Sequence, residues 1–331
     1  MNNATPQVIS GKYGFYDRLK EAFPSQIIVD STELCNLACI HCPHPQFKQS
    51  KYYSGRKLDP ELNAKLVDEV RNFGRGITQY IRYTSEGEPL IHPQIFDMLS
   101  LAVRESGTTV TLTTNGVLLT DSRIARLLAC GVHLVDISID AFNDETYAKV
   151  RVNGDLSVTR SNVLNLIAGV KENRSQMKVV VSYIEQPMNE RETSDFELFW
   201  KDNGADHVVI RKLHSCAGAK SSIADQMRMD SVTEIRRPCL YPWERIVLTP
   251  RGSLAFCPAD WTHGSTIADY SKVSIRETWQ GEFYQKLREA HITNRYHNHL
   301  FCGQCPDWSA TSWPGEGRSY ANMVEEFKDL E

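Results

Sequence analysis

The chain has 331 residues, room for one large domain with an appendage or for two domains. It carries 37 Lys and Arg against 41 Asp and Glu, a net charge of −4, so nothing advertises a polyanion partner such as nucleic acid. No apolar run is long enough to cross a bilayer and MNNATPQVISGKYG lacks the apolar core of a signal peptide, so the expected setting is the cytoplasm, with no membrane partner.

The first predicted strand is IIVD (27–30). LDPELNAKLVDEVRNFG then reads as a helix that Asp59 caps, Pro60 opens and Gly74 ends, with Leu62, Leu66, Val67, Val70 and Phe73 at helical spacing. Strands are predicted at 79–84, 109–115, 134–140, 178–184 and 207–213. Helices are predicted between them at 95–105, 122–131, 144–150, 157–172 and 195–204. Alternating strands and helices imply parallel β-α units. The spacing suggests a partial (β/α)6 TIM-like barrel, an α/β fold, although periodicity alone does not exclude an open doubly wound sheet. In such barrels the chemistry sits on loops at the C-terminal ends of the strands.

The pattern changes after Leu213. Residues 214–238 read as polar and irregular. RIVLT, PRG and SLAFC then read as a β-hairpin, followed by a helix at about 276–291, the pair FCGQC and one short helix in 318–331. The expected organisation is an N-terminal extension (1–26), the barrel (27–215), a linker (216–238), a small cysteine-ligated α+β module (239–310) and a tail (311–331).

Nine cysteines are many for a cytosolic chain, and their odd number and clustering argue against a disulfide framework and for metal or redox chemistry. CNLACIHC, directly after the first strand, sets Cys35, Cys39 and Cys42 in a C-x3-C-x2-C array. With His41 or His44 as a fourth ligand the array would suit zinc. Without one, it would serve three irons of a four-iron cluster and leave the fourth open. Cys239, Cys257, Cys302 and Cys305 form a second set whose count closes either a tetrahedral zinc or a fully ligated cluster. Cys130 ends a helix on its apolar side and reads as a buried, inert thiol. Cys216 follows the sixth strand, on the reactive face of the barrel.

Three further motifs stand at successive strand ends: SEGEPLIHP, TTNG and SID. With them and CNLACIHC, residues 25–215 resemble the radical S-adenosylmethionine (radical SAM) enzymes. That resemblance implies a 4Fe-4S cluster on Cys35, Cys39 and Cys42 whose open iron binds S-adenosylmethionine. Gly87, Glu88 and Pro89 resemble the family's Gly-Gly-Glu-Pro motif at the methionine ammonium, with Glu86 standing where the first Gly would be. Asn115, Ser138 and Asp140 resemble the residues that hold the ribose or methionine, and Arg151 a basic residue facing the carboxylate or the substrate. His41 occupies the position whose backbone is expected against adenine. From Cys239 the order resembles a Twitch domain, a shortened SPASM domain, with one auxiliary 4Fe-4S cluster. That cluster is expected to transfer electrons or to staple a module with no core of its own.

Related enzymes act on sugars, aminocyclitols and aminoglycosides, and some on peptides. About 26 residues precede the first strand, which disfavours a leader-dependent peptide substrate. The expected partners are a small polyol or sugar substrate and a flavodoxin- or ferredoxin-type electron donor. Two outcomes fit a carbinol carbon. An epimerase would use Cys216 as hydrogen-atom donor; a dehydrogenase would pass an electron to the auxiliary cluster and form a ketone. Tyr83, Glu185, Arg211, His214, Asp260 and Trp261 are candidate substrate contacts. A zinc-binding scaffold is the alternative in kind.

Overall fold

The computed structural model describes residues 22–84, 86–231, 236–310 and 320–328. Its strands are β1 (Gln26–Val29), β2 (Tyr80–Tyr83), β3 (Thr109–Thr114), β4 (Leu134–Ser138), β5 (Lys178–Glu185) and β6 (His207–Lys212), then β7 (Arg245–Leu248), β8 (Ser253–Ala255) and β9 (Thr266–Asp269). The principal helices are α1 (Pro60–Glu69), α2 (Ile95–Glu105), α3 (Asp121–Cys130), α4 (Asp144–Val150), α5 (Leu156–Glu172) and α6 (Thr193–Asp202). They continue with α7 (Ser221–Asp230), α8 (Ile275–Gln280), α9 (Glu282–Thr293) and α10 (Tyr320–Lys328).

The strands form one sheet in the order β6-β5-β4-β3-β2-β1-β7-β8-β9. From β1 to β6 each strand pairs in parallel with its successor. A doubly wound sheet reverses its strand order at a switch point; this one does not reverse. Right-handed crossovers in a constant direction put the helices on one face, the geometry of a barrel. Among the described residues β6 pairs only with β5, so the barrel is partial.

Strand residues alternate between the two faces. Ile27, Val29, Ile81, Tyr83, Val110 and Leu112 join the helices in the main core. Each fully buried aliphatic there contributes about 1.5–3 kcal/mol. The other face is the lumen. Ile28, Tyr80, Leu134, Val180 and Val247 meet there with Met323 and Val324 of α10. Further along the same face Arg82 and Arg211 share the carboxylate of Asp136, at 3.0 and 2.8 Å.

The hairpin β7–β8 does not found a separate sheet. β7 lies parallel to β1, Gln26 opposite Arg245 and Val29 opposite Leu248. Ile246, Leu248, Leu254, Phe256, Tyr270, Trp279 and Tyr284 belong to the same apolar core as the barrel. The expected coreless module is thus corrected: this segment buries its apolar residues against the barrel.

Three further expectations are corrected. Phe73 is 42% exposed, because the helix widens into a π turn at Val70–Gly74 and rotates it off the core. The stretch read as irregular contains α7. The single helix near 276–291 is two, interrupted at Gly281, with a Ser274–Glu277 capping box starting α8.

Candidate active site and its two cysteine sets

The loop after β1 is held by backbone on several sides. Ala38 N–H donates to Val152 O and Ile40 N–H to Val150 O, at 2.9 and 3.0 Å. Glu88 N–H donates to Leu34 O at 2.8 Å. A Cβ on Gly87 would overlap the carbonyl oxygens of Thr32 and Leu34, so only glycine lets the second strand end approach this loop. Glu33, fully buried, accepts from Ser54 N–H, Arg56 N–H and Arg251 Nε at 2.8, 3.0 and 2.8 Å.

Cys39 is buried and Cys35 and Cys42 are half-buried. Burial pushes all three thiols up, Cys35 to about 12, and the charge of Cys39 raises both of the others further. Three thiolates this close in a dry site need a strong cation. Among the described residues no three Cys, His or carboxylate groups converge tightly enough for one metal ion. Tetrahedral zinc would draw its sulfurs to within about 4 Å of each other, whereas a four-iron cluster spreads its ligands over separate irons. His44 Nε2 lies 2.8 Å from Glu33 O, and its ring packs against Tyr53 and Trp261. His41 Nε2 lies 3.4 Å from Asp140. Neither histidine completes a zinc site, and the donor set fits the cluster.

Around the thiols the expected motif residues converge, with their side chains largely engaged by the protein. Glu88 is buried. Its carboxylate accepts from Leu90 N–H (3.1 Å), Thr114 Oγ1 (2.7 Å) and Asn115 N–H (2.8 Å), while burial, the dominant effect, holds its pKa above the usual carboxylate range. Three of about four acceptor positions on a carboxylate are used, leaving one for an ammonium. Pro89 opens the 3-10 turn Pro89–Ile91 that Glu88 caps. Asn115 donates from Nδ2 to Asn36 of the cysteine loop at 2.8 Å. Ser138 is the half-buried last residue of β4. Asp140 adopts a left-handed conformation (φ 61°), accepts from Ile184 N–H at 2.7 Å and pairs with Arg151 at 2.5 Å. Arg151 Nη1 reaches within 3.6 Å of Cys39 Sγ. Asp140 therefore holds Arg151 against the cysteine loop and faces His41 within it. Burial lowers the pKa of His41 to about 4, so the ring is neutral, and its buried Nδ1 has no partner among the described residues.

Cys216 lies in the loop between β6 and α7. Its charge raises the pKa of Cys42, so the two thiols are within electrostatic reach of each other. Burial, then Asp307, pushes its thiol up to about 12. Cys216, Ala217 and Gly218 are successive left-handed residues with φ of 53°, 55° and 96°. For the two non-glycine residues this costs roughly 1–2 kcal/mol each.

The second cysteine set comes from three segments. Cys239 precedes a short helix at Tyr241–Glu244, Cys257 follows β8, and Cys302 and Cys305 bracket the end of a short helix at Leu300–Gln304. The charges of Cys239, Cys302 and Cys305 all bear on Cys257, and those of Cys239 and Cys305 on Cys302. Arg236 donates to the carbonyls of Cys302 and Gly303. Cys130 packs apart from both sets, its Sγ 3.3 Å from Phe96 O.

The candidate substrate contacts divide. Tyr83 points the other way: it is fully buried on the helix side and donates to Asn63 Oδ1 at 2.7 Å. Strand alternation gives the lumen to Arg82 instead. Arg211 lines the lumen in its pair with Asp136. Asp260 is spent on Thr262 and Ser265, and Trp261 packs on His44 and Phe47. Glu185 is exposed and accepts from Thr193 at 2.8 Å. His214 is half-exposed, its Nδ1 accepting from Cys216 N–H at 3.2 Å. Sequence reasoning missed Glu33, Asp136 and Asp307, which carry no motif and act across the chain. It saw Glu86 only as a motif departure. Glu86 is buried beside Glu33, Asp260 and Arg251, and burial raises its carboxyl to about 8.

Fold and site together define a partial-barrel protein with three cysteines on one loop and a second set of four, two arrangements that fit iron–sulfur clusters. Residues 29–184 match the Radical SAM superfamily, and residues 239–306 match an iron-sulfur cluster-binding domain, SPASM. The chain belongs to the radical SAM enzymes with such an auxiliary-cluster domain, and its cofactors are S-adenosylmethionine and two 4Fe-4S clusters. Over 128 residues it is 33% identical to an AdoMet-dependent heme synthase of Methanosarcina barkeri, a match covering 39% of this chain and 34% of that protein. Over 184 residues it is 27% identical to a probable GTP 3',8-cyclase of Methanocaldococcus jannaschii, covering 55% of this chain and 57% of that one. In fold it is similar to BtrN in complex with AdoMet and 2-DOIA (TM-score 0.57, 17% identity, 85% of this chain and 92% of that one). It is similar also to SuiB of Streptococcus suis bound to precursor peptide SuiA (TM-score 0.63, 13% identity, 96% and 76%).

Proposed function

We propose that this radical SAM enzyme inverts a carbinol carbon of a sugar, aminocyclitol or aminoglycoside, with Cys216 as the hydrogen-atom donor. On the cluster that Cys35, Cys39 and Cys42 would hold, S-adenosylmethionine would supply, at the cost of one electron from an external flavodoxin- or ferredoxin-type donor, the radical chemistry that takes the hydrogen atom from the carbon and releases methionine and 5′-deoxyadenosine. The chain then has three tasks: to hold the polyol, to exclude water and to return a hydrogen atom to the opposite face. Cys216 S–H gives its hydrogen atom to the carbon radical, forming C–H and leaving a thiyl radical. One electron and one proton restore the thiol, the electron coming from the same donor.

The observation that carries this reading is the Cys216 loop. Its thiol is within electrostatic reach of Cys42, and with its pKa pushed up to about 12, chiefly by burial, it is S–H at neutral pH. A hydrogen-atom donor must be protonated. The lumen of the barrel offers hydroxyl-binding groups on Arg82, Asp136, Ser182 and Arg211. BtrN, bound to AdoMet and 2-DOIA, lends the same fold to a small-molecule ligand.

The mutual electrostatic influence of Cys239, Cys257, Cys302 and Cys305, from three segments, favours one second reading, a dehydrogenase whose electron leaves through the auxiliary cluster. A panel of aminocyclitols, aminoglycosides and sugars, assayed in D2O with dithionite, separates the two. Epimerisation yields an inverted product with one solvent deuterium at the carbon, since S–H exchanges with water, and Cys216→Ala abolishes it. A ketone formed equally by wild type and Cys216→Ala contradicts the epimerase.

A further inference from the structure

We propose that Asp307 is the positioning residue for Cys216: its carboxylate holds the Ser215–Gly218 loop in the left-handed run that aims the thiol at the three-cysteine face. This rests on the reading of Cys216 as donor. The loop makes a poor structure by itself, because Cys216 and Ala217 both occupy a region that side-chain-bearing residues avoid. Such a conformation persists only where its surroundings over-determine it. Asp307 supplies that constraint from a segment 90 residues away. One carboxylate oxygen accepts from Ser215 N–H and Ser215 Oγ, at 2.8 and 2.6 Å, and the other from Ala217 N–H at 2.6 Å. The two residues flanking Cys216 are thus tied to one charged acceptor, the stronger kind of hydrogen bond. His214 Nδ1 accepts the remaining Cys216 N–H at 3.2 Å and lies 3.8 Å from Asp307. Ser215 Oγ then accepts from Gly218 N–H at 2.9 Å, and Lys220 N–H bonds Ser215 O at 2.9 Å, leading into α7.

Asp307 also stands two residues beyond Cys305. The polypeptide that carries Cys302 and Cys305 thereby fixes the backbone on either side of Cys216. Arg228 of α7 ties the far end of the loop to the same segment, donating to Gln304 O at 3.2 Å. The auxiliary segment acts on the reaction by orienting the donor, independently of any electron it carries.

The test uses the full chain, reconstituted with both clusters under anaerobic conditions, and iodoacetamide as thiol probe. Carbamidomethylation of Cys216 is followed by peptide mass spectrometry, with Cys130 as internal reference. Asp307→Asn keeps one acceptor and loses the other, and is expected to raise the Cys216 rate about tenfold, Asp307→Ala more. Iron content and substrate-free cleavage of S-adenosylmethionine by dithionite are expected to stay within about twofold of wild type, because neither draws on this loop. Wild-type Cys216 reactivity in an iron-replete Asp307→Asn or Asp307→Ala protein overturns the proposal. So does a parallel fall of iron and cleavage in Asp307→Asn, the mark of a merely structural residue. Cys216→Ala reports on the donor reading separately: unchanged turnover there removes the donor and leaves the Asp307 clamp standing on the alkylation result.

Discussion

Cys35, Cys39 and Cys42 sit on one loop, whereas Cys239, Cys257, Cys302 and Cys305 are gathered from three segments. The first loop is shaped by the barrel itself, through Gly87, Glu88 and the carbonyls of Val150 and Val152. The second set depends on β7 pairing with β1 and on a core shared with the barrel. We infer from the difference that the loop of three cysteines leaves one iron of its cluster for S-adenosylmethionine and that the set of four leaves none.

Four variants break or sharpen this contrast. Replacing Cys35, Cys39 and Cys42 together by Ala is expected to abolish cleavage of S-adenosylmethionine, by on the order of a thousandfold or more, and to lower iron from about eight to about four per chain. Cys302→Ser with Cys305→Ser is expected to lose a similar amount of iron while cleavage survives within about tenfold, measured as 5′-deoxyadenosine released. Arg151→Ala strands the buried Asp140 without its cation and should cost about 3–5 kcal/mol in denaturant unfolding, with weakened cleavage because Cys39 also loses its guanidinium neighbour. Tyr83→Phe removes one buried hydrogen bond to Asn63, should cost about 1 kcal/mol and should leave the substrate KM unchanged.

Glu86 adds a pH test at the seam between the two regions. Its carboxyl rises from the ordinary 4.5 to about 8, chiefly through burial. The folded chain therefore holds a proton that the unfolded chain gives up. That stabilising contribution is complete below about pH 4.5 and is lost as the pH rises through about 8. Glu86→Gln should unfold at a higher denaturant concentration than wild type at pH 9, with the gap closing at pH 5. An equal gap at both pH values would contradict a buried, protonated Glu86.

Elements with strong local periodicity were legible in the sequence. The six barrel strands and Asp59 as a cap are where the pattern puts them, because strand alternation and capping are encoded within a few residues. The division of the cysteines into a set of three, a set of four and two outliers was legible from spacing. The faces were harder. In YIRY the apolar Ile81 and Tyr83 turn outward to the helices and the charged Arg82 inward, the reverse of a sheet with one wet face, because in this barrel the helices cover the outside. Asp307 and the β1–β7 pairing were illegible because each joins segments far apart in sequence. The motif residues Glu88 and Asp140 were found, but not their bonds to Asn115, Ile184 and Arg151.

The most direct measurement is the electron paramagnetic resonance spectrum of each reduced single-cluster protein, before and after S-adenosylmethionine. One protein carries the Cys302→Ser and Cys305→Ser changes, the other the three Ala changes at Cys35, Cys39 and Cys42. The account predicts that S-adenosylmethionine shifts the spectrum of the first and leaves that of the second unchanged. A shift in the second, or none in the first, would contradict the division between an open and a closed cluster.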